Sequence, residues 1–389
     1  MRIVVNALSA TLGGGQTYLR NLFAHLPERD DVQVLVFAAP ALKLPPHPRV
    51  RVCHPRWPTA NPLLRALWER FALPARLRRE GAEVLFCPGG VVATRAPASC
   101  RVVTMFRNMI PFDAALMARM PWGLQRLRNL ILRRVMLRSM AEADLTIFIS
   151  AHARALIESQ IRIRHAVTIA HGIGEAFRTH GKPLARPAAA PAGEYLLYVS
   201  RFDLYKHHAE LVSAYAALPQ GVRRKHPLLL LGETNLPDAA HVLRLVDELG
   251  VQQEVFIPGA VAHAELPAYY AQAHAVLFAS SCENCPNILL ESLGAGRPVL
   301  CSDVMPMPEF GGPGLIYFSP FDPASIAQAL NTLLQDPQRA QEAAAAALQR
   351  SRAYDWARSA SETWRHLFAL ADTPASARAG IGAGAGPAD

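Results

Sequence analysis

The sequence is poor in cysteine and in long apolar runs, and each shortage removes a class of protein. Six cysteines are scattered at 53, 87, 100, 282, 285 and 301 along 389 residues, a density and spacing unlike a disulfide framework. They read mostly as core thiols. Cys282 and Cys285 form a C-x-x-C, but a structural zinc site of that type needs a second pair of ligands at similar spacing and none stands nearby, so no metal is expected. No uninterrupted apolar run is long enough to cross a bilayer. The opening MRIVVNAL is strand-like, without a cleavable small-residue site behind a longer apolar stretch, and does not read as a secretory signal. The expectation is a cytoplasmic chain. Broad stretches of low hydrophobicity are missing too: with 51% hydrophobic and 18% charged residues, the composition excludes extensive disorder and suits a packed globular protein.

Acidic residues are outnumbered, 31 against 40 lysines and arginines, for a net charge of +9. That balance favours acidic partners such as nucleic acid, anionic lipid or a phosphorylated substrate. Much of the positive charge precedes residue 140, in LWERFALPARLRRE and LQRLRNLILRRVMLRSM, both of which read as helices. In the second, the arginines cover one broad side with Leu127 and Ile131 among them. This fits equally a helix lying on a membrane surface, which would make the protein peripheral to the inner face of the plasma membrane, and a packed helix whose arginines face water. The interleaved aromatics of single-strand binding are absent from these segments, so no nucleic-acid partner is expected.

The length exceeds what one hydrophobic core usually organises and favours two domains. Short β-branched or apolar runs recur with helical stretches between them, the signature of βαβ units and a parallel sheet. The first series runs RIVVNAL, VQVLVFAA, VRVCHP, AEVLFCP, CRVVTMF, ADLTIFIS and HAVTIAHG, with helices after Gly15, over Pro62 to Glu80, over Trp122 to Met140 and from Ala151 to Ser159. It makes a first domain of residues 1–172. The Pro- and Ala-rich GKPLARPAAAPAG reads as an exposed connection within a linker, 173–193. A second series, EYLLYVS, PLLLLGE, QEVFIPG, AVLFAS, PVLCS and LIYF, makes a second domain over 194–372. Helices at Pro323 to Leu334 and Tyr354 to Leu370 close it, the last able to pack back on the first domain. The Ala/Gly-rich tail 373–389 has too few large apolar groups to pack and is expected to be flexible. The fold class is α/β: two doubly wound, Rossmann-like domains whose strand carboxyl ends face an interdomain cleft.

Candidate site residues therefore belong in strand-to-helix loops. The strand AVLFAS runs into SCENCP and the helix NILLESLGAG, so Glu283 lies on the loop and Glu291 about two turns into the helix, both able to address one cleft. The first turn of that helix offers unpaired N–H groups and a positive dipole end, which suits a diphosphate, and Pro286 fits early in the turn. Two glutamates eight apart would otherwise read as a loop carboxylate and a helix carboxylate facing water. The frame around them, strand, ENCPNILLE, then Gly-Arg-Pro and another strand, changes that reading. It resembles the retaining glycosyltransferases of the GT-B fold, glycosyltransferase family 4, with their E-x7-E motif, and the resemblance spans nearly the whole chain. It implies that Glu283 contacts hydroxyls of the donor sugar and that Glu291 binds the ribose. Asn284, Cys285 and Pro286 replace the commoner Gly-Phe-Gly, and with Asn287 they would shape the nucleotide-sugar site.

YLLYVSRFDLYKHH places Arg201 just beyond a strand and Lys206 five residues later. A departing nucleoside diphosphate builds negative charge on phosphate oxygens, which two preplaced cations stabilise without a metal. Either cation alone would more often be a solvated charge; similar enzymes carry this pair to bind the diphosphate. His207 and His208 would cap the next helix or face water.

Gly13, Gly14 and Gly15 precede a helix amino terminus, a geometry that admits an anion or sugar close to the backbone. A dinucleotide fingerprint is weak here, because Tyr18 occupies the third glycine position and the second strand ends in VFAAP without an acid. In similar enzymes this loop lies near the donor phosphate and acceptor, which assigns Gly14 and Gly15. Where many relatives carry a histidine after the strand CRVVTMF, this chain has Arg107 and Asn108. Either can hydrogen-bond sugar or acceptor, but neither is a general base at neutral pH, and Arg107 can instead pair with Asp113. His171 resembles the segment ending the first domain and reads equally as a turn residue. Gly259 resembles the loop near the donor base and reads equally as a strand-ending glycine.

The expectation is a retaining hexosyltransferase using a UDP- or GDP-sugar. Its acceptor is a glycan or lipid-linked saccharide of bacterial surface polysaccharide or lipopolysaccharide, and it needs no cofactor and no essential metal. The alternatives on the same fold are a nucleotide-sugar epimerase or hydrolase, which would release products without acceptor, and a non-catalytic sugar-nucleotide-binding protein.

Overall fold

Seven runs of Val, Ile, Leu and Phe in the first half form the strands β1 (Arg2–Asn6), β2 (Gln33–Phe37), β3 (Val50–Cys53), β4 (Val84–Cys87), β5 (Arg101–Phe106), β6 (Leu145–Phe148) and β7 (Ala166–Thr168). Six more form β8 (Leu196–Val199), β9 (Leu228–Leu231), β10 (Val255–Gly259), β11 (Ala275–Phe278), β12 (Val299–Ser302) and β13 (Ile316–Phe318). The computed structural model describes residues 1–11, 13–57 and 59–372; the tail 373–389, expected to be flexible, lies outside the described residues. Each expected strand is present among them.

All pairings between these strands are parallel, in the orders β3-β2-β1-β4-β5-β6-β7 and β10-β9-β8-β11-β12-β13. Central strands such as β4, β6, β8, β9 and β11 are buried along their whole length. That is why they read as continuous apolar runs rather than alternating ones: helices cover both faces of such a sheet. In each sheet the order doubles back at one place, between β1 and β4 and between β8 and β11. At such a switch point the loops leaving the two carboxyl ends diverge and open a crevice where open α/β sheets bind ligands.

The chain divides into two units. One comprises Met1–Pro111, Trp122–Ala170 and, among the described residues, 356–372; the other comprises Phe112–Pro121 and His171–Asp355. The division thus falls between Ala170 and His171, and residues 171–193 count with the second unit. The final helix, Trp356–Asp372, is part of the first unit rather than a closing element of the second. There it packs on the helix Gly14–Ala24: Trp364 donates from Nε1 to the Leu22 carbonyl at 2.8 Å and meets Phe23 edge-on, with ring centroids 5.6 Å apart.

The single helix expected over Pro62 to Glu80 is two, Pro62–Phe71 and Leu73–Glu80. Pro74 has no N–H to give and its ring would crowd the carbonyl of Arg70, so the run breaks just before it and restarts with the proline in the first turn, where it is tolerated. The Leu124–Glu142 helix buries only Asn129, Met136, Ser139 and Met140.

Candidate functional site

The switch point of the second sheet gathers the donor-site candidates. After β8 the chain turns through Ser200, Arg201 and Phe202. Asp203 then accepts from the Leu204 amide at 2.9 Å and starts the short helical turn Leu204–Lys206. After β11 the chain runs through Ser280 to Pro286 into the helix Asn287–Gly294. The Ser281 amide ties the two loops together by donating to the Tyr205 carbonyl at 2.9 Å, and the Tyr198 hydroxyl of β8 fixes the first loop by donating to the Lys206 carbonyl at 2.9 Å.

Lys206 and Glu283 meet in a direct ion pair, Nζ to Oε1, with side chains only 6% and 18% exposed. Ser280 donates to the same carboxylate oxygen at 2.8 Å. The ammonium also lies over the faces of Tyr205 and Phe278, 4.9 and 5.6 Å from the ring centres, where the ring quadrupoles favour a cation. A buried pair of this kind loses hydration on both partners, and its net contribution to stability is small or negative.

Arg201 is not drawn into this pair. Its side chain is half exposed, with Nε 3.8 Å from Asp203 Oδ2, so the structure separates the two cations that the sequence grouped. His207 and His208 do not face water. His207 is buried in a left-handed conformation (φ 53°), with Nε2 2.8 Å from Ser281 Oγ and Nδ1 3.0 Å from Glu210 Oε1. His208 stacks on Phe202 with 4.1 Å between ring centres. Burial, and then the charge of Lys206, lower its pKa to about 3. The sequence suggested a helix cap; His207 does occupy the position before the helix His208–Ala216, but makes no side-chain capping bond.

Along the helix Asn287–Gly294, Glu291 is largely buried and its Oε1 lies 3.3 Å from Nε2 of His263. Burial raises its pKa above the ordinary glutamate value, and the neighbouring His263 opposes that rise without cancelling it. Pro286 stands at the cap, one residue before the helix, and its carbonyl accepts from the Leu290 amide at 3.0 Å. Asn284 and Cys285 are buried, and Asn287 Oδ1 lies 2.8 Å from Nδ1 of the buried His171. His171 thus orients a residue of the E-x7-E segment. Gly259 ends β10 with φ 93° and open space where a Cβ would stand, a conformation that favours glycine. Cys282 and Cys285 are buried and in no disulfide, and burial pushes the Cys282 thiol well up.

Three contributors were not singled out from the sequence. Ser280 orients Glu283, His263 faces Glu291, and Gly232, ending β9, presses against the Ser200 backbone so closely that a Cβ there would collide with its carbonyl. Only the last had a local signal, a glycine directly after an apolar run.

In the first unit the corresponding crevice lies between the loops that leave β1 and β4. Gly13 has φ 59°, and the helix begins at Gly14. A Cβ on Gly15 would lie 3.4 Å from Ala10 Cβ and 3.5 Å from Nη1 of Arg107. The Arg107 guanidinium sits over the Tyr18 ring at 5.5 Å. Arg107 and the glycine loop are therefore neighbours, as one surface for an anionic or hydroxylated ligand requires. Asn108 accepts from the Ile110 amide at 3.2 Å and so also stabilises its own turn. Asp113, which counts with the second unit, accepts from the Leu116 amide at 2.8 Å and caps the helix Ala114–Arg119. Gly89, after β4, approaches Ser9 after β1 so that a Cβ there would displace the serine hydroxyl.

Residues 12–177 match the family description Glycosyltransferase Family 4, and residues 185–350 match Glycosyl transferases group 1. Over 170 residues the chain is 29% identical to the O-antigen chain mannosyltransferase B of Escherichia coli, covering 43% of this chain and 44% of that one. Over 182 residues it is 29% identical to the N-acetylgalactosamine-N,N'-diacetylbacillosaminyl-diphospho-undecaprenol 4-alpha-N-acetylgalactosaminyltransferase of Campylobacter jejuni, covering 45% and 47%. The matched stretch thus spans less than half the length of either relative. Among solved structures, Anabaena HepE in complex with UDP and glucose superposes with a TM-score of 0.69 at 17% identity, covering 95% of this chain and 100% of that one. At that identity the likeness is one of fold.

Proposed function

The chain belongs to the GT-B glycosyltransferases, with both units matched by family descriptions, and from that premise we propose the reaction it performs. It transfers a hexose from a nucleotide-diphosphate sugar, with retention of anomeric configuration, to a glycan or lipid-linked saccharide in the assembly of bacterial surface polysaccharide or lipopolysaccharide. The observation that carries this reading is the buried Lys206–Glu283 pair beside Ser280 at the switch point of the second sheet.

The donor lies on the second unit. Lys206 and Arg201 take up the charge that develops on the departing diphosphate, and the amino terminus of the helix Asn287–Gly294 adds its dipole. Glu283, fixed by Ser280, holds the sugar hydroxyls, and Glu291 holds the ribose. The acceptor lies on the first unit, against Gly14, Gly15, Arg107 and Asn108. The bond from the anomeric carbon to phosphate oxygen breaks, the bond to the acceptor oxygen forms on the same face, and the acceptor proton passes to the departing phosphate. The protein cations perform the neutralisation that a metal would otherwise supply, so the transfer needs none. UDP and GDP are the candidate nucleotides, and HepE was solved with UDP.

An anionic membrane surface is the proposed place of reaction. Trp122, Leu124, Leu127 and Ile131 are exposed on the first unit, Leu124 by 88%, with Arg126 over the Trp122 ring at 4.0 Å. Among the described residues no helix is long and apolar enough to cross a membrane, so this would be attachment to one face. The Campylobacter relative is named for a diphospho-undecaprenol acceptor.

Thermal-shift screening of UDP, GDP and ADP, followed by turnover of the matching nucleotide sugars with soluble and undecaprenyl-linked acceptors, tests the reading. A nucleotide-dependent rise in melting temperature and acceptor-dependent release of nucleotide are expected. Consumption of no nucleotide sugar, or release that never requires an acceptor, would overturn it.

A further inference from the structure

At the amino-terminal edge of the second sheet, opposite the end that carries Lys206 and Glu283, three side chains from adjacent strands converge. Glu194 lies two residues before β8, His226 two before β9 and His274 one before β11, and the sheet order β9-β8-β11 puts the glutamate between the two histidines. The backbone fixes their approach, since the Leu196 amide donates to the Pro227 carbonyl at 2.9 Å and the His274 amide to the Tyr195 carbonyl at 2.8 Å. Glu194 Oε2 lies 3.5 Å from Nδ1 of His226 and 3.3 Å from Nδ1 of His274, and the imidazole centroids are 4.5 Å apart.

Those separations have a chemical meaning. Zinc binds histidine nitrogen and carboxylate oxygen at about 2.0–2.2 Å in tetrahedral geometry, which places neighbouring ligand atoms about 3.3 Å apart. The two nitrogen-to-oxygen distances match that edge, and the three potential ligand atoms lie within 4.8 Å of one another. Simple hydrogen bonding accounts for the arrangement less well. Nδ1 of His226 is buried and makes no hydrogen bond, although a carboxylate oxygen stands 3.5 Å away, and an orphaned buried polar atom calls for a partner. The Glu194 side chain is more than half exposed and that of His274 is about a quarter exposed. The site is thus reachable from solvent and has room for a water as fourth ligand.

We infer that Glu194, His226 and His274 form a binding site for a divalent transition metal of the zinc type, with two imidazoles, one carboxylate and water. Among the described residues it is the only group of three histidine, cysteine or acidic side chains so disposed. It lies at the far end of the strands from the donor-site residues, so its role is to tie β9, β8 and β11 together, and transfer chemistry does not run through it. A metal that binds the folded chain and not the unfolded one stabilises the fold by mass action.

The test uses the full chain, freed of any affinity tag and stripped with chelator. Calorimetric titration with Zn2+ is expected to give one ion per chain, and Co2+ to give visible d–d absorption of low-coordinate symmetry. The melting temperature should rise with Zn2+ while glycosyl transfer is unchanged. His274→Gln and Glu194→Gln, both at partly exposed positions, should each weaken Zn2+ by about tenfold or more, the scale on which a site loses affinity when a supporting group is removed. His226→Ala should abolish the stabilisation by Zn2+. Failure of the stripped wild-type chain to take up a stoichiometric ion would overturn the inference. So would undiminished binding in His274→Gln and Glu194→Gln, which would place the ion elsewhere, for instance at Cys282 and Cys285.

Discussion

Lys206 sits among aromatic rings and against a carboxylate, so its ammonium is desolvated before any substrate arrives. A charge held this way needs no reorganisation when negative charge develops nearby, which is where preorganised electrostatics gain their effect. Lys206→Ala is therefore expected to lower kcat by about 10²–10³-fold, the usual cost of removing one such donor, with a smaller change in KM. It also leaves Glu283 buried without its partner, so the melting temperature should fall. Steady-state kinetics and a thermal melt on the same preparation separate the two effects, and turnover at the wild-type rate would remove Lys206 from the chemistry.

Glu291 carries the clearest pH signature at the site. Its pKa is raised in the folded chain, by burial first, so the native state holds its proton more tightly than the unfolded state does. That contribution to stability is present below the ordinary glutamate value of 4.5 and is lost as pH rises through the folded value. Glu291→Gln is expected to flatten the fall in ligand-free melting temperature across that window, and at neutral pH to raise the KM for the nucleotide sugar more than it lowers kcat. Melts at a series of pH values with and without nucleotide check both. A variant whose stability tracks the wild type at every pH would contradict the first.

At this scale the sequence displayed charge and spacing but not partnership. Lys206 and Glu283 were readable as candidates because each lies in a loop leaving the carboxyl end of a strand, β8 or β11, and those strands are neighbours in a doubly wound sheet. Arg201 was grouped with Lys206 by proximity in sequence, yet one turn of backbone sends it toward Asp203 and solvent. Ser280 and His263 gain their roles from distance in space alone. His207 and His208 looked hydrophilic, but Ser281 and Glu210 give His207 polar partners, while Phe202 and Tyr198 stack on His208, which burial holds in its neutral form.

At the scale of elements, the central parallel strands announce themselves because they are apolar throughout, and all thirteen strands lay where apolar or β-branched runs put them. Short helices such as Gln220–Lys225 and Leu266–Gln272 span under two turns and carry too little periodicity to declare themselves. Strand-end glycines record close approach, and Gly232 is the sharpest case: a side chain there meets the Ser200 carbonyl and the Arg201 amide. Gly232→Ala must push β9 away from the loop that positions Arg201 and Lys206, at about 1–3 kcal/mol, the usual penalty for overpacking. Chemical denaturation should show that loss, together with weaker nucleotide binding; an unchanged midpoint and affinity would show that the loop yields freely. The Leu124–Glu142 helix offers the opposite case. Leu127 and Ile131 are exposed, so replacing both by Ser should change stability by less than about 0.5 kcal/mol per site. If the helix meets lipid, flotation with anionic liposomes should fall several-fold; equal flotation would detach membrane binding from this face.

For the whole molecule, the order of segments along the chain and the membership of the units differ. The final helix follows the second sheet in sequence but belongs with the first unit, and Phe112–Pro121 goes the other way. Nothing local encodes such exchanges: an amphipathic helix declares that it has an apolar face, not which surface covers it. The first unit is therefore incomplete without residues 356–372, whose Trp364 is fully buried against Phe23 and hydrogen-bonded to the Leu22 carbonyl. Trp364→Ala leaves a large void and an unsatisfied carbonyl, at about 3–5 kcal/mol. Trp364→Phe keeps a ring beside Phe23 and loses the hydrogen bond, so its penalty should be smaller. Native-state proteolysis followed by mass spectrometry should show new cleavage in β1, β4 and the helix Gly14–Ala24 for Trp364→Ala, with the strands β8 to β13 protected as in the wild type. Cleavage confined to the final helix itself would mean that the first sheet holds its fold without that helix.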